Sequence, residues 1–304
     1  MSFSKIHPAV LMLYFISVLI ISMFITNPVI QCEAFVGGIL FCFILSTSQQ
    51  RKEDLKFYLP LMILITVTNP IFSHSGETPL FFIGDNAITL EALLYGVNLS
   101  AMIVSVMLWC KNYNFIVTND KFVYLFGKVA PKLSLVLSMS LRFIPILKKQ
   151  SKKISRAQKV MGLYSSESYL DRVMSSMRSM SALVGWALES AVETSRSMRA
   201  RGYGLKERIS YSNYHFTTRD RIITLLCICF SVVVVVDAIL GVTDFNFYPG
   251  ITEINKSIIA IITYMCFGNL VILPLLMELE ERIKWSYYKS KISALNIQNP
   301  KKRQ

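Results

Sequence analysis

Hydrophobic residues form six long runs along the chain, and polar segments separate them. The runs cover about 9–25, 29–47, 57–72, 87–110, 221–243 and 257–277. A helix needs about 20 predominantly apolar residues to cross a bilayer, and most of the runs approach that length. The third run is shorter and contains Pro60 and Pro70, so we expect it to be broken or tilted. The pattern therefore predicts an all-α integral membrane protein with about six transmembrane helices.

The segment between the fourth and fifth runs follows a different pattern. Residues 133–147 are apolar but too short to span a bilayer comfortably, and they include an arginine and a proline. A lysine-rich helical stretch follows and stops at Gly162, and a second helix is expected from about Asp171. We therefore expect two long helices here, each with a basic end and a terminal glycine.

Apolar and small residues recur along the second of these helices at alternating spacings of four and three. They are Val173, Met177, Met180, Val184, Ala187, Ala191, Thr194 and Met198. A heptad-like stripe that is rich in methionine and small residues favours the close approach of another helix. The sequence thus predicts a packing surface along this helix.

Composition and charge agree with a multi-span membrane protein that has a substantial polar part. The chain is 53% hydrophobic and 17% charged, and its mean hydropathy is +0.47. The net charge of +13 is carried by residues 111–221, which hold 20 Lys/Arg against 7 Asp/Glu. No RNA-binding or helix-turn-helix pattern accompanies this charge, so we predict no nucleic-acid partner. A basic segment between spans is instead typical of the cytosolic side.

The same positive-inside rule predicts an orientation. Segment 48–56 is basic, whereas 73–86 and 244–255 contain no Lys or Arg. Alternation places both termini in the cytoplasm, in a multi-pass protein of the cell membrane. The first run lacks a cleavage site, so we expect it to remain as a span. Three regions are predicted: N-terminal transmembrane helices in 1–110, a cytosolic region with two long helices in 111–220, and C-terminal transmembrane helices with a basic tail in 221–304.

The sequence contains no recognisable catalytic, metal or cofactor site. Gly127 and Lys128 are followed by a valine and lack the upstream glycine of a phosphate loop. The three histidines lie far apart, and the six cysteines lie in or beside apolar runs, where we expect small buried hydrophobic residues. Glu33, Glu91 and Asp237 lie near the outer ends of their spans, where pairing at the interface is favoured over a functional role.

The stretch SMRARGYG ends the second long helix. Helical spacing places Arg196 and Arg199 on one side and Arg201 on another. Gly202 and Gly204 can supply the left-handed cap that ends a helix, where cations meet the negative end of the helix dipole. Two interpretations remain open: a basic helix end that lies on anionic lipid, or a protruding end whose arginine enters a groove of a cytosolic partner.

Two stretches together resemble the transmembrane T component of energy-coupling-factor (ECF) transporters, a cobalt-permease-like membrane protein family. They are LFGKVAPKLSLVLSMSLRFIPILKKQSKKISRAQKVMG and SMRARGYG, and the likeness extends over roughly 9–280. It implies two long coupling helices on the cytosolic side, whose ends dock into two ABC-type ATPase subunits. It also implies a non-catalytic scaffold of an uptake transporter, which holds a small membrane S component that captures a vitamin or metal ion.

Carried over residue by residue, the resemblance predicts two sets of docking residues and one apolar stripe. The second motif matches at Ala200, Arg201 and Gly202, with Arg199 beside it, and the first falls on Val160, Met161 and Gly162, with Lys159 beside it. Met161 stands where the family usually has arginine. Three interpretations remain open: docking at this end is weaker, the ATPase groove is adapted to an apolar residue, or Lys159 replaces the arginine in part. The predicted S-component-facing stripe is Val173, Met177, Met180, Val184, Ala187 and Ala191.

A different class of protein, a self-contained channel or secondary transporter, is the alternative. Such proteins line a path with polar spans and place charges near the bilayer midplane. The apolar runs of this chain carry few charges, and their acids lie near the ends of the spans. The sequence therefore favours the coupling subunit.

Overall fold

The computed structural model describes residues 3–73, 76–83, 86–162, 169–203 and 214–298. Within them it has a short 3-10 helix at Phe3–Lys5 and eleven longer elements. These are α1 (Pro8–Phe24), α2 (Pro28–Leu45), α3 (Ser48–Phe72), β1 (Pro79–Ile83), β2 (Asn86–Thr89), α4 (Leu90–Ile116), α5 (Asn119–Val129), α6 (Pro131–Val160), α7 (Tyr169–Ala200), α8 (Thr218–Ile239) and α9 (Ile258–Gln298). The all-α prediction is confirmed.

The chain divides into two compact units. The membrane unit comprises Met1–Thr118 and Tyr214–Gln304, and the basic unit comprises Asn119–Asn213. Five helices of the membrane unit, α2, α3, α4, α8 and α9, are long and apolar enough to cross a bilayer, and α1 is a shorter apolar helix. The described part of the chain is therefore that of a multi-pass membrane protein.

The helix boundaries differ from the sequence prediction at α3 and α4. The basic segment 48–56 was expected to separate two spans, but it forms the first turns of α3. The helix begins directly after Thr47, whose N–H donates to the Gln50 side chain at 3.1 Å. The fourth apolar run was expected to be helical from 87, but residues 86–89 form β2 instead, which pairs antiparallel with β1. Thr89 then caps α4 by accepting from the N–H of Ala92.

Two of the three intramembrane acids have hydrogen-bond partners, as the sequence favoured. Glu91 accepts from the hydroxyl of Thr78 at 2.8 Å and so ties the start of β1 to α4. Asp237 accepts from the hydroxyl of Thr263 and links α8 to α9. Glu33 differs, because its buried Oε2 atom has no hydrogen-bond partner among the described residues. The hydrogen bonds of Glu91 and Asp237 therefore stabilise the packing between elements.

A cluster of buried aromatic rings lies where α1, α2 and α4 meet. Trp109 is fully buried, and its ring lies 6.0 to 6.3 Å from those of Tyr14, Phe15 and Phe41. The indole N–H donates to the carbonyl of Ala34 at 3.0 Å, so the one polar group of this side chain is satisfied. Because the cluster joins three helices, it forms the centre of the membrane unit.

Two adjacent glycines let α2 approach its neighbours closely. A Cβ atom on Gly37 would lie 1.9 Å from Cγ1 of Val271 on α9, and one on Gly38 would lie 3.3 Å from Nε1 of Trp109. Small residues at helix contacts are the usual means of close packing in membranes, where the hydrophobic effect does not drive helices together. The glycine pair therefore sets the distance between α2 and both α9 and α4.

We predict that Gly37→Ala destabilises the membrane unit, because the added methyl group overlaps Val271 and overpacking typically costs about 1–3 kcal/mol. The apparent melting temperature of the purified protein should fall by several degrees. Gly185→Ala on α7 is the control, since a Cβ atom there meets nothing within 4 Å. Equal melting temperatures for the two variants would contradict the close-packing role of Gly37.

Candidate functional site at two helix ends

The two long helices of the basic unit, α6 and α7, contact each other through an aromatic pair and a hydrogen bond between described residues. The rings of Phe143 and Trp186 stack with centroids 5.9 Å apart and planes 4° from parallel. The hydroxyl of Ser179 donates to the side-chain oxygen of Gln158, which is buried. Phe143 precedes Gln158 on α6, whereas Trp186 follows Ser179 on α7, which is the order expected of an antiparallel helix pair. The helices are thereby fixed at two points along their lengths.

The face of α7 that packs on α6 is separate from the methionine-rich stripe. It is marked by Ser175, which is buried, and by the half-buried Ser179, Trp186 and Ser190. The contact between Gln158 and Ser179 was not expected from the sequence, although small serines recur at helical spacing in 175, 179 and 190. The methionines of the other face are the stronger hydrophobic signal in the sequence.

The predicted stripe is instead largely exposed within the basic unit. Met177 and Met180 are 68% and 63% exposed, and Val173 and Val184 are 40% and 48% exposed. Ala187 is half-buried and Ala191 is exposed. An apolar face of this length with little packing against its own unit is available for lipid or for another membrane helix. That it faces an S component stays a prediction.

The end of α7 is a Schellman cap, a helix end closed by a residue in the left-handed conformation. The N–H of Gly202 donates to the carbonyl of Arg199 at 3.0 Å, and the N–H of Tyr203 donates to the carbonyl of Met198 at 3.1 Å. Gly202 has a φ angle of 76°, which favours glycine because it lacks a Cβ atom. Arg201 is thus the last residue before the chain reverses.

The end of α6 has the same local geometry. Gly162 has a φ angle of 78°, and its N–H donates to the carbonyl of Lys159 at 3.1 Å. Met161 occupies the cap position directly after the last helical residue, Val160, as Arg201 does after Ala200. The predicted counterparts Met161 and Arg201 therefore stand at equivalent positions of two similar caps. Gly204, which was considered as a second cap residue, lies outside the described residues.

Both caps expose their side chains. Val160 and Met161 are 88% and 68% exposed, and Arg201 is also exposed. An arginine at this position carries a planar donor group to the end of the helix, where carbonyl or carboxylate acceptors of another surface can meet several of its N–H groups. A methionine at the same position offers a flexible apolar contact without a charge. The two ends thus present different chemistry on one backbone geometry.

Positive charge lies along the surface of α6. Its lysines are exposed, and they are Lys132, Lys148, Lys149, Lys152, Lys153 and Lys159. Lys121 on α5 is different, because it is buried and desolvation lowers the pKa of its ammonium group. The positive charge of α6 therefore lies on the outside of the helix pair.

The described residues give no sign of a metal centre, because no three of their His, Cys, Asp and Glu side chains are grouped to hold an ion. His7 has a structural place at the start of α1, where its Nδ1 accepts from the N–H of Ala9. The expectation that the cysteines are buried holds for Cys42 and Cys227. It is wrong for Cys32, Cys110 and Cys229, which lie exposed on apolar helices.

Both helix ends lie within a match to a known protein family. Residues 2–211 match the CbiQ family, which is described as cobalt transport protein, and this match includes both caps. The energy-coupling factor transporter transmembrane protein EcfT of Brevibacillus brevis is 27% identical over 236 residues, 73% of this chain and 89% of the relative. The EcfT protein of Listeria innocua is 28% identical over 183 residues, 55% of this chain and 69% of the relative. The family recognised from the sequence is thereby confirmed.

We predict that Gly202→Ala loosens the last turn of α7, because a left-handed conformation costs a residue with a Cβ atom roughly 1–2 kcal/mol. Amide hydrogen exchange at Arg201 and Tyr203 should accelerate severalfold. Gly185→Ala, in the middle of the same helix, should leave exchange in this turn unchanged. Unaltered exchange in the Gly202 variant would show that the cap does not depend on glycine.

Proposed function

The chain belongs to the CbiQ cobalt transport protein family, and on this premise we propose that it is the transmembrane T component of an ATP-driven ECF-type uptake transporter. The observation that carries the proposal is the pair of matching caps at Met161 and Arg201, which lie inside the family match and expose their side chains. In this role the chain is a scaffold that passes movement between its partners. It hydrolyses no ATP itself.

The ends of α6 and α7 dock into two ABC-type ATPase subunits. At the end of α7, Ala200, Arg201 and Gly202 enter a groove of one ATPase, where the guanidinium group of Arg201 meets carbonyl or carboxylate acceptors. Arg199 lies two residues earlier and adds positive charge at the negative end of the helix dipole. The fixed cap supports this role, because an ordered helix end loses little backbone conformational freedom on binding.

The end of α6 docks differently from that of α7. Val160, Met161 and Gly162 offer an apolar tip, and Lys159 supplies the nearest positive charge. A methionine fills an irregular apolar groove well because its side chain is unbranched and polarisable. We assign this end to the groove of the second ATPase, where Met161 makes an apolar contact in place of an arginine, so that the two ATPase contacts differ in chemistry.

The two contacts between α6 and α7 suit the transmission of force. When ATP binding closes the ATPases, movement of one helix end is carried to the other helix through the Phe143–Trp186 stack and the Gln158–Ser179 hydrogen bond. Packed interfaces respond to force as units because their atoms are close-packed. The helix pair therefore acts as the coupling element of the transporter.

The exposed stripe on α7 faces the S component, the small membrane protein that captures the vitamin or metal ion. Val173, Met177, Met180 and Val184 supply the apolar contact area, and Ala187 and Ala191 permit close approach. A methionine-rich surface can repack against a moving partner, since it makes few fixed polar contacts. The basic unit and both termini lie on the cytoplasmic side, as the charge distribution of the chain supports.

We predict that Arg201→Glu abolishes uptake and its coupled ATP hydrolysis, because the reversed charge repels the acceptors that bind arginine. The measurement uses the tagged chain together with the ATPases and small membrane protein that co-purify with it, reconstituted in liposomes. Membrane insertion should be unchanged.

The matched control is Arg196→Glu, which makes the same charge change on an exposed part of the same helix. It should retain most of the uptake. Wild-type transport by the Arg201→Glu complex would contradict the docking role. Isolation of the tagged chain without ATPases or a membrane partner would contradict the proposed function as a whole.

We predict that Met161→Arg retains assembly when the ATPase groove still has hydrogen-bond acceptors, since the cap geometry accepts arginine at the equivalent position 201. The readout is the amount of ATPase that co-purifies with the tagged chain. Met161→Leu is the control for a purely apolar contact and should also assemble. Loss of assembly in Met161→Arg alone would show a groove that is tailored to an apolar side chain.

A further inference from the structure

A cleft of about 550 Å³ lies between α2, α3 and α4 in the membrane unit. Its volume is in the range of about 300–1,000 Å³ that is common for ligand sites. The coupling function described above makes no use of it. Its walls combine apolar side chains with a small number of charged ones, and the two kinds occupy different parts of the cleft.

The charged and apolar residues are separated along the direction of the helices. Helix α2 ends and α3 begins at the turn around Ser46 and Thr47. The lining residues nearest to this turn are Phe43, Ser48, Arg51 and Lys52, and those farther from it are Phe35, Ile39, Leu59 and Met62. At a rise of 1.5 Å per residue, Met62 lies about 16 Å along α3 from Arg51. The cleft is therefore polar at one end and apolar along the rest.

The charges at the polar end leave two cations for a ligand. Asp54 is the acid among the described lining residues, and it forms an ion pair with Lys111 on α4. The guanidinium group of Arg51 lies 4.2 Å above the ring of Phe43, and its buried Nε atom has no hydrogen-bond acceptor among the described residues. Lys52 lines the cleft beside it. Hence the end of the cleft near the turn attracts an anion.

We propose that this cleft binds an anionic phospholipid. The phosphate group lies at Arg51 and Lys52, and one acyl chain extends along the apolar wall toward Met62. The turn between α2 and α3 joins two helices that are able to span the bilayer, so it lies at the level of the lipid headgroups. Arginine and lysine at this level attract anionic lipids, and they keep their charged ends near the headgroups.

The apolar wall identifies the source of the phosphate. A free phosphate ion would use only the two cations, whereas a phospholipid also covers the apolar side chains, among them Ile39 and Leu59, which are 41% and 50% exposed. Each buried methylene group of an acyl chain adds to the affinity. The site is thus matched to a ligand that carries both an anion and a hydrocarbon chain.

The test measures lipid binding to the full-length protein, purified and stripped of lipid in detergent, by native mass spectrometry. Dioleoyl-phosphatidylglycerol and dioleoyl-phosphatidylcholine are titrated separately, and inorganic phosphate is added as a competitor. The wild-type protein should prefer phosphatidylglycerol, and phosphate alone should not displace it. The double variant Arg51→Gln/Lys52→Gln should bind phosphatidylglycerol about 30-fold more weakly, from the loss of two cations near an anionic lipid.

Two further variants separate the site from general surface charge. Lys56→Gln removes a positive charge from the same helix outside the cleft and should keep the preference for phosphatidylglycerol. Ile39→Trp narrows the apolar part and should weaken the binding of both lipids. Equal affinity of the wild type for the two lipids would overturn the proposal. An unchanged preference in the double variant, or displacement of the lipid by inorganic phosphate, would overturn it as well.

Discussion

The structure of this protein depends on one constraint: within the bilayer, every backbone N–H and C=O group needs a hydrogen-bond partner inside the chain. In hydrocarbon an unpaired peptide group costs several kcal/mol, so the membrane unit consists almost entirely of helices. Backbone groups and polar side chains become accessible where helices end. The candidate sites lie at such places: the caps at Met161 and Arg201, and the turn between α2 and α3 with Arg51 and Lys52.

Close packing then decides which helices are neighbours. Gly37 and Gly38 bring α2 against α9 and α4, and Trp109 joins α4 to α1 and α2 through its ring and its N–H group. Closely packed backbones bring Asp54 and Lys111 together, although they are far apart in sequence. The wall of the lipid cleft and the core of the membrane unit are therefore parts of one packing arrangement.

The candidate docking site could be predicted in its local features and not in its packing. Gly162 and Gly202 indicated the helix ends because only glycine adopts a left-handed conformation cheaply, and both have positive φ angles. The packing face of α7 was not predictable in this way. Ser179 contacts α6 and Ser175 is buried, while the stronger stripe of Met177 and Met180 remains exposed, because a membrane protein has apolar residues on surfaces that meet lipid or a membrane partner as well as in its core.

The sequence by itself determined the features that depend on neighbouring residues: the apolar runs, the basic segment, the glycine caps and the family to which the chain belongs. Tertiary structure alone decided the features that depend on distant residues, including the contact of Gly37 with Val271 and the ion pair that leaves Arg51 and Lys52 for an anion. The physical reason is that helix formation and capping are local. The side chains that meet across helices are selected by packing, which hydrophobic periodicity does not specify.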